Sequence, residues 1–300
     1  MSYNSINTNR QAVFALQSLN QNTMELNATQ KRISTGYRVA DARDDTGAFS
    51  VAQSVRSDIA GVTAVNEQLG GARGILATTM TSLTQISNTM QQLRTNVSRL
   101  ADGSVIGEQR TQYQEQFVKL NNQLQSFITD ATYNGRTLLS TAVGTVANAL
   151  LGFGPNVIGG EIQSIRNETG GEYTIAAIDG ATLTLGNDLT AAVVAPTSAG
   201  LAQVFIQGAV TSTGTNLGSI EARITRALAS FGSSQQFVDN QISYNTKKLD
   251  ALNDGLGALV DADLAKESSR MTALQTRQQL SLQTLSMANQ APQSLLSLFR

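Results

Sequence analysis

The sequence contains no cysteine, no histidine and no tryptophan. Without cysteine the chain can form no disulfide bond and offers no thiolate as a nucleophile or metal ligand. Without histidine it lacks the side chain that most often acts as general base or zinc ligand. These absences exclude Ser-His-Asp and Cys-His catalytic sites and every histidine zinc site. No catalytic residue, cofactor or metal ion is predicted for the chain.

Charged residues are also scarce, at 14% of the chain against roughly 25% in a typical soluble protein. An unpaired charge that becomes buried against another protein loses its hydration, so helices that face neighbouring subunits are expected to carry few charges. Scarce charge is equally a habit of secreted bacterial proteins, and composition alone leaves both interpretations open. The net charge of −1 permits copies of the chain to associate with one another.

Long apolar runs are missing as well. No run of about 18 apolar residues is present, so the sequence predicts no membrane-spanning helix, and the polar start has no apolar stretch of signal-peptide length. Because basic residues are not in excess, neither nucleic acid nor a membrane is predicted as a partner. The leucine-rich end resembles a membrane-surface helix, but its few lysines and arginines favour packing against partner helices.

The strongest positive signal is a seven-residue repeat of apolar residues between residues 55 and 100. This spacing keeps an apolar row on one helix face, where it can pack against a partner helix. A second long helix is predicted over residues 217–259, and a shorter one between them runs from near Ile106 to Ala131. The core positions predicted on the two long helices are Val55, Val62, Leu69, Leu76, Leu83, Met90, Val97, Leu228, Phe231, Leu249, Leu252 and Leu256.

Both ends of the sequence carry weaker apolar rows. No single helix can bury such a row alone, so the helices at opposite ends of the sequence are predicted to pair with each other. Pro292 is expected to kink or re-start the last helix. The packing residues predicted at the two ends are Val13, Leu16, Leu19, Leu26, Ile33, Leu274, Leu282, Leu285, Leu295, Leu296, Leu298 and Phe299.

The middle of the chain differs from both flanks. Residues 132–219 hold 14 of the 25 glycines, only seven charged residues and no lysine. Short runs at residues 172–178, 182–185 and 203–206 are typical of strands, and Gly-Gly, Asp-Gly and Gly-Asn pairs between them favour hairpins. The predicted fold is mainly α: a long antiparallel coiled-coil and helical-bundle rod, with a small β-rich insertion at its outer tip.

Acidic and glycine clusters offer alternative, chemical interpretations. Neither acidic cluster has the glycine and the oxygen spacing of a calcium loop, so helix capping and solvated charge are favoured. The glycines lie inside the seven-residue repeat and do not follow a strand, which argues against a phosphate site. The clusters are Asp41, Asp44 and Asp45; Asp261, Asp263 and Glu267; and Gly70, Gly71 and Gly74.

Three segments carry recognisable motifs. Two lie near the start: Ser5-Ile6-Asn7-Thr8-Asn9, and Arg32-Ile33-Ser34-Thr35-Gly36-Tyr37-Arg38-Val39 with Ala42 and Asp44-Asp45. The third, at the other end, is Asp261-Ala262-Asp263 with Ala265, Glu267, Gln279 and Ala288-Asn289-Gln290-Ala291-Pro292-Gln293. These motifs resemble the hallmarks of bacterial flagellins, over roughly residues 1–140 and 215–300 with a variable middle between them. The short middle and the ending Leu295-Leu296-Ser297-Leu298-Phe299-Arg300 look most like alphaproteobacterial flagellins.

The resemblance implies a secreted structural subunit that polymerises with copies of itself into the extracellular flagellar filament for motility. It implies export by the flagellar secretion apparatus, and contact with cap and hook-associated proteins. The implied domains are an inner-core coiled coil (residues 1–43 and 261–300), an outer-core bundle (44–135 and 216–260) and a variable region (136–215). The two ends are expected to order together only in the filament.

One segment departs from the family pattern. Many flagellins carry Gln-x-Val-Arg-Glu-Leu on an outer-core helix, where the animal innate receptor for flagellin binds. Here the segment is Gln91-Gln92-Leu93-Arg94-Thr95-Asn96, in which Arg94 fits and the next two residues do not. The resemblance therefore predicts weak recognition by that receptor.

Three other functions compete with a filament subunit. A hook–filament junction protein shares the coiled-coil ends, but the strength of both terminal motifs favours flagellin. An enzyme-bearing flagellin would need a His-Glu-x-x-His helix, which a chain without histidine cannot form. A cytosolic coiled-coil scaffold would not need the two terminal motifs.

Overall fold

A computed structural model of the chain describes residues 9–140, 144–145, 158–180, 199–207 and 217–298. Two compact units are present, each described by itself: unit 1 comprises Met1–Ile59 and Asp250–Arg300, and unit 2 comprises Ala60–Leu249. The helices are α1 (Arg10–Thr35), α2 (Thr46–Leu100), α3 (Gly107–Thr129), α4 (Ala199–Gln207), α5 (Leu217–Val260) and α6 (Leu264–Leu298). The strands are β1 (Arg136–Thr137), β2 (Gly144–Thr145), β3 (Ile158–Gly159), β4 (Ile162–Ile165) and β5 (Glu172–Ile175).

Unit 1 is built on the antiparallel pair of α1 and α6. Gly36 ends α1 because its φ of 74° is left-handed, and its N–H donates to the Arg32 carbonyl over 2.9 Å. The next residue, Tyr37, forms an antiparallel bridge with Asp261, between α5 and α6. The predicted pairing of the two ends is therefore confirmed. The bridge joins the two segments directly after the C-terminal end of α1.

A small apolar cluster lies next to that bridge in unit 1. Val39, Ala52 and Val260 are buried together. The Arg38 N–H donates to the Val260 carbonyl over 2.7 Å. The carboxylate of Asp45 accepts from the Ala48 N–H over 3.0 Å, so Asp45 caps α2 as predicted.

Unit 2 has one continuous core between α2, α3 and α5. Val62, Leu69, Leu76, Leu83, Met90 and Val97 are all buried in it. On α5, Phe231 is buried and Leu228 and Leu249 are half-buried. The other predicted core positions, Val55, Leu252 and Leu256, lie in unit 1 and are half-buried there. The predicted long helices are confirmed, and the seven-residue row of α2 faces this core along most of its length.

Tyr133 and the turn that follows it connect α3 to the first sheet. Asn134 and Gly135 both have positive φ, 48° and 73°, which a two-residue hairpin turn requires. The Tyr133 ring packs over Gly74 of α2, where an added Cβ would lie 2.7 Å from Cζ. Gly74 is therefore a close-packing position for an aromatic ring.

The strands form two small sheets. β3 pairs with β1 in parallel and with β2 in antiparallel orientation, and β4 pairs with β5 as an antiparallel hairpin. The strand predicted within residues 172–178 is confirmed as β5. The strand predicted at 203–206 is wrong, because these residues belong to α4, whose Ala202 is buried in the unit 2 core. The run predicted at 182–185 lies outside the described residues.

Polar contacts with α5 hold the β4–β5 hairpin. Glu168 in the hairpin turn pairs with Lys248 near the end of α5 and lies against Gly61 near the start of α2. Gln241 and Asn245 donate to the Arg166 carbonyl over 3.0 and 3.3 Å. The described hairpin therefore lies alongside the helices, because polar side chains of α5 bind its turn. The placement of the insertion at the outer tip stays a prediction, because residues 146–157 and 181–198 lie outside the described residues.

Pro292 does not interrupt α6. The helix runs from Leu264 to Leu298 without a break, so the predicted re-start is wrong.

Among the described residues, no helix is both long and apolar enough to cross a membrane.

Candidate interaction site on the terminal helices

The facing sides of α1 and α6 form a narrow seam. Leu26 of α1 and Leu274 of α6 are 8% and 2% exposed, and Ala15 and Ala288 are also buried. The Asn22 Nδ2 donates to the Ser281 Oγ over 3.0 Å. The seam is thus made of a few leucines, with small and uncharged polar side chains between them.

Large apolar side chains lie exposed on the other sides of the same helices. Phe14, Met24 and Met287 are 71%, 68% and 63% exposed. At roughly 100° per residue, Met287 lies about 140° around α6 from Leu274, so it cannot share the seam with α1. The exposed apolar set comprises Val13, Phe14, Leu16 and Met24 on α1, and Leu264, Leu280, Leu282 and Met287 on α6.

The residues predicted to pack at the ends divide into two groups. Those in or beside the seam are Leu26 and Leu274, which are buried, and Leu19, Ile33 and Leu285, which are half-buried. Those exposed are Val13, Leu16 and Leu282. Leu295, Leu296 and Leu298 belong to the last turns of α6, and Phe299 lies outside the described residues.

Five exposed residues of the set were not among the predicted packing positions: Phe14, Met24, Leu264, Leu280 and Met287. Their spacing does not follow the seam row, because they lie on other sides of the helices. All but Leu264 lie in stretches without charged residues, 11–24 and 278–298, and that absence of charge is the signal that could have found them.

Charge is absent from most of the pair. Residues 11–24 of α1 and residues 278–298 of α6 include no Asp, Glu, Lys or Arg. The ion pairs lie toward the inner end of α1, where Arg32 Nη1 is 3.3 Å from Glu267 Oε1 and Arg270 Nη2 is 3.7 Å from Glu25 Oε2. A surface without charge can be covered by another protein without the desolvation cost of an ionised side chain.

Phe14 and Met287 meet at one shallow groove on the surface of the pair. The other residues that line this groove are Gln11, Ala15, Thr284 and Ala288. All six side chains are uncharged, and the two largest are apolar and exposed. We refer to these six residues as the Phe14–Met287 patch.

The acidic cluster at the start of α2 is organised by a lysine. Lys31 Nζ lies 2.9 Å from Asp41 Oδ2 and 2.8 Å from Asp44 Oδ2. Asp44 also accepts from the Ala40 N–H over 3.0 Å. The hydrogen bond from Lys31 holds the pKa values of Asp41 and Asp44 below their ordinary value, and their carboxylates raise the pKa of Lys31. The cluster is therefore an internal ion-pair network.

Arg94, the residue singled out as a receptor-like position, faces α5. Its Nη1 lies 2.5 Å from Glu221 Oε2, and its side chain is 53% exposed. Thr95 beside it is exposed, whereas Asn96 is buried. The guanidinium is thus already bound within the chain, and weak receptor recognition stays a prediction.

Two family models match the chain, one at each end. The model of the bacterial flagellin N-terminal helical region matches residues 6–143. The model of the bacterial flagellin C-terminal helical region matches residues 206–299. The matched segments contain the described parts of α1 and α6 and most of the helices between them.

Relatives that match the chain along nearly its whole length are flagellins by name. Flagellin FljO of Caulobacter vibrioides is 31% identical over 100% of both chains. A flagellin of Brucella melitensis is 32% identical over 99% of each chain. Among solved structures, a putative flagellar hook-associated protein of Vibrio parahaemolyticus has a TM-score of 0.58 at 12% identity, covering 73% of this chain and 100% of that one. That last likeness concerns the fold alone.

Proposed function

The chain belongs to the bacterial flagellin family and is a subunit of the flagellar filament that serves motility, and we propose that copies of it join through the outward faces of α1 and α6. The observation that carries this proposal is the uncharged, exposed apolar surface centred on the Phe14–Met287 patch. A second copy of the same chain is the proposed occupant.

The energetics favour several such contacts acting together. Burying one large apolar side chain stabilises by about 1.5–3 kcal/mol. Holding two proteins together costs roughly 4–15 kcal/mol in lost translational and rotational freedom. The exposed members of α1 and α6 offer enough apolar side chains to exceed that cost, provided that most of them become covered. A contact between two different faces of the chain would then propagate as an open helix of subunits.

The remaining assignments follow from family membership and are proposals for this chain. We propose export through the flagellar secretion apparatus, contact with cap and hook-associated proteins, an extracellular location and no catalytic role. The hook–filament junction alternative is not better supported, because the structural neighbour with a hook-associated title shares only the fold, whereas the full-length relatives are flagellins.

The test exchanges the exposed apolar side chains for polar ones of similar helix propensity. Phe14→Gln and Met287→Gln should each raise the critical concentration for polymerisation about tenfold, because each removes roughly 1.4 kcal/mol of apolar burial. The critical concentration is measured as the protein left in the supernatant after filaments are sedimented at equilibrium.

Ile106 supplies a matched control. It is 74% exposed, in the loop before α3 of unit 2, and so resembles Phe14 in size and exposure but lies outside the proposed contact. Ile106→Gln should leave the critical concentration unchanged. An equal rise for Ile106→Gln, or no rise for the two patch variants, would contradict the proposed contact.

A further inference from the structure

Pro292 leaves a gap in the hydrogen bonding of α6. In an α-helix the carbonyl of residue i accepts from the N–H of residue i+4. Pro292 has no N–H, so the carbonyl of Ala288 lacks the donor that its helix would normally supply. Because the helix continues to Leu298, this missing donor lies inside an intact helix.

Asn9 supplies a replacement from the other end of the chain. Its Nδ2 donates to the Ala288 carbonyl over 2.7 Å. Its Oδ1 accepts from the Ala12 N–H over 3.1 Å, which makes Asn9 the N-cap of α1. One amide side chain therefore satisfies a free donor at the start of α1 and the carbonyl that the proline leaves without a helical donor in α6.

The seam itself specifies the alignment of the two helices weakly. Its members are leucines, alanines and small polar residues, and such a row packs nearly as well after a shift by one seven-residue repeat. Buried polar contacts are the feature that most often fixes register in paired helices. The Asn22–Ser281 and Arg32–Glu267 contacts lie along the same antiparallel alignment as Asn9 and Ala288.

We propose that Asn9 and Pro292 form a register lock, in which the proline exposes one carbonyl of α6 and Asn9 recognises it. The Tyr37–Asp261 bridge joins the C-terminal end of α1 to the start of α6, and the lock aligns the opposite ends of the two helices in a single register. The lock joins the two terminal motifs, Asn7-Thr8-Asn9 and Ala291-Pro292-Gln293, in one contact. It is a contact within one chain and does not rest on the proposed contact between chains.

The alternative is that Asn9 serves α1 alone as a helix cap. The two roles separate in a double-mutant cycle with Pro292→Ala, which returns an N–H to α6 and gives the Ala288 carbonyl its helical donor. Asn9→Asp keeps the size and the cap acceptor but cannot donate, and Asn9→Ser keeps a neutral cap but is too short to reach α6.

In the otherwise unchanged chain, both Asn9 variants should raise the critical concentration of the filament about fivefold, since each leaves a carbonyl without its donor. In the Pro292→Ala background the same variants should raise it less than about twofold. If an Asn9 variant abolishes polymerisation, restoration by Pro292→Ala supports the lock, and failure to restore overturns it. An equal cost in both backgrounds also overturns it, because Asn9 would then act only as a cap.

Asn22→Ala is the control for the cycle. It removes a polar contact of the same pair, to Ser281, that does not involve the carbonyl of Ala288. Its effect on the critical concentration should be the same with Pro292 and with Pro292→Ala. A background-dependent effect of Asn22→Ala would mean that Pro292→Ala changes the whole pair, and the lock would then be rejected as its explanation.

Register can be read directly because the chain has no native cysteine. A short cross-linker with two thiol-reactive maleimide groups should alkylate both sulfurs and so join Asn22→Cys to Ser281→Cys within one chain of the filament, and should join Asn22→Cys to Ala288→Cys poorly. Asn9→Asp should increase the second, shifted product at the expense of the first. Unchanged yields in Asn9→Asp would overturn the role in register. These products form within a chain, so they remain informative even if substitutions in the Phe14–Met287 patch fail to weaken polymerisation.

Discussion

The two units of this flagellin carry the same kind of apolar row but bury their apolar side chains to different extents. In unit 2 the row of α2 faces α3 and α5, and the largest fully buried side chains of the described residues all lie in this unit, among them Phe117, Phe231 and Leu83. In unit 1 the paired helices bury Leu26 and Leu274 between them, while Phe14 and Met287 remain exposed. Unit 2 therefore has a buried core, whereas unit 1 leaves large apolar side chains exposed.

The difference explains how one chain can fold and still polymerise. A two-helix pair with a seam of few leucines has little to offset its loss of conformational freedom, so it needs further partners to be stable. A bundle with a continuous core does not. Unit 2 is therefore expected to fold in the free subunit, and the α1–α6 pair to become stable when neighbouring copies cover it.

Removal of residues 262–300 should have the largest effect. This deletion takes away α6 and the partner of α1 but no residue of unit 2. The truncated chain should unfold cooperatively on heating, near the full-length midpoint, and should form no filaments when seeded. The measurements are circular dichroism for unfolding and electron microscopy for filaments. Filaments of the truncated chain would show that α6 is not required for the subunit contact.

A matched pair of leucines should separate the two units next. Leu83 in unit 2 and Leu274 in unit 1 are 0% and 2% exposed, so replacement by alanine creates a similar cavity in each. Leu83→Ala should lower the free energy of unfolding of the free subunit by about 2.7–5 kcal/mol. Leu274→Ala should leave that value nearly unchanged and instead raise the critical concentration at least about tenfold.

Chemical denaturation of the free subunit and sedimentation of filaments measure the two quantities separately. The contrast is supported if Leu83→Ala changes mainly the free energy of unfolding and Leu274→Ala changes mainly the critical concentration. If Leu274→Ala destabilised the free subunit as much as Leu83→Ala, the α1–α6 pair would already be stable before polymerisation, and the contrast between the units would disappear.

How far the sequence predicts this structure depends on the range of the interactions. The row from Val62 to Val97 repeats over many turns, so helix type and the buried face of α2 could be predicted. The run at residues 203–206 is too short for its period to distinguish a strand from a buried helix. The position of the β4–β5 hairpin depends on Asn245 and Lys248 binding a turn far away in the sequence, and no local pattern contains that information.

The interaction site was predictable in kind and less so in detail. Weak leucine rows indicated that the ends pair, but the side on which each leucine lies depends on how the partner fixes the rotation of the helix. Leu26 is therefore in the seam while Leu282 is exposed, although both were predicted as packing residues. Pro292 indicated a disturbed helix, but the donor that compensates for it, Asn9, comes from the opposite end of the chain.

The smallest expected effect concerns the ion-pair network at the start of α2. Lys31 holds the pKa values of Asp41 and Asp44 below the ordinary 3.8, so the folded form binds fewer protons there than the unfolded form. The network therefore stabilises fully above pH 3.8, and its contribution is lost as the pH falls further toward the lowered values. Because the side chains are partly exposed, Lys31→Gln should change the critical concentration at pH 7 at most about threefold.

The sign of the pH dependence is what tests the network. The difference in critical concentration between the wild-type chain and Lys31→Gln should shrink as the pH is lowered from 5 to 3 (about the range of carboxylate titration). The reason is that protonated Asp41 and Asp44 no longer attract the lysine. Lys266→Gln is the control, since Lys266 is an exposed lysine of α6 that forms no ion pair with the described residues. Its effect should be independent of pH in this range. If the difference in critical concentration between Lys31→Gln and the wild-type chain stayed constant from pH 5 to pH 3, Lys31 would act by packing its methylene chain. The charges of Asp41 and Asp44 would then contribute nothing.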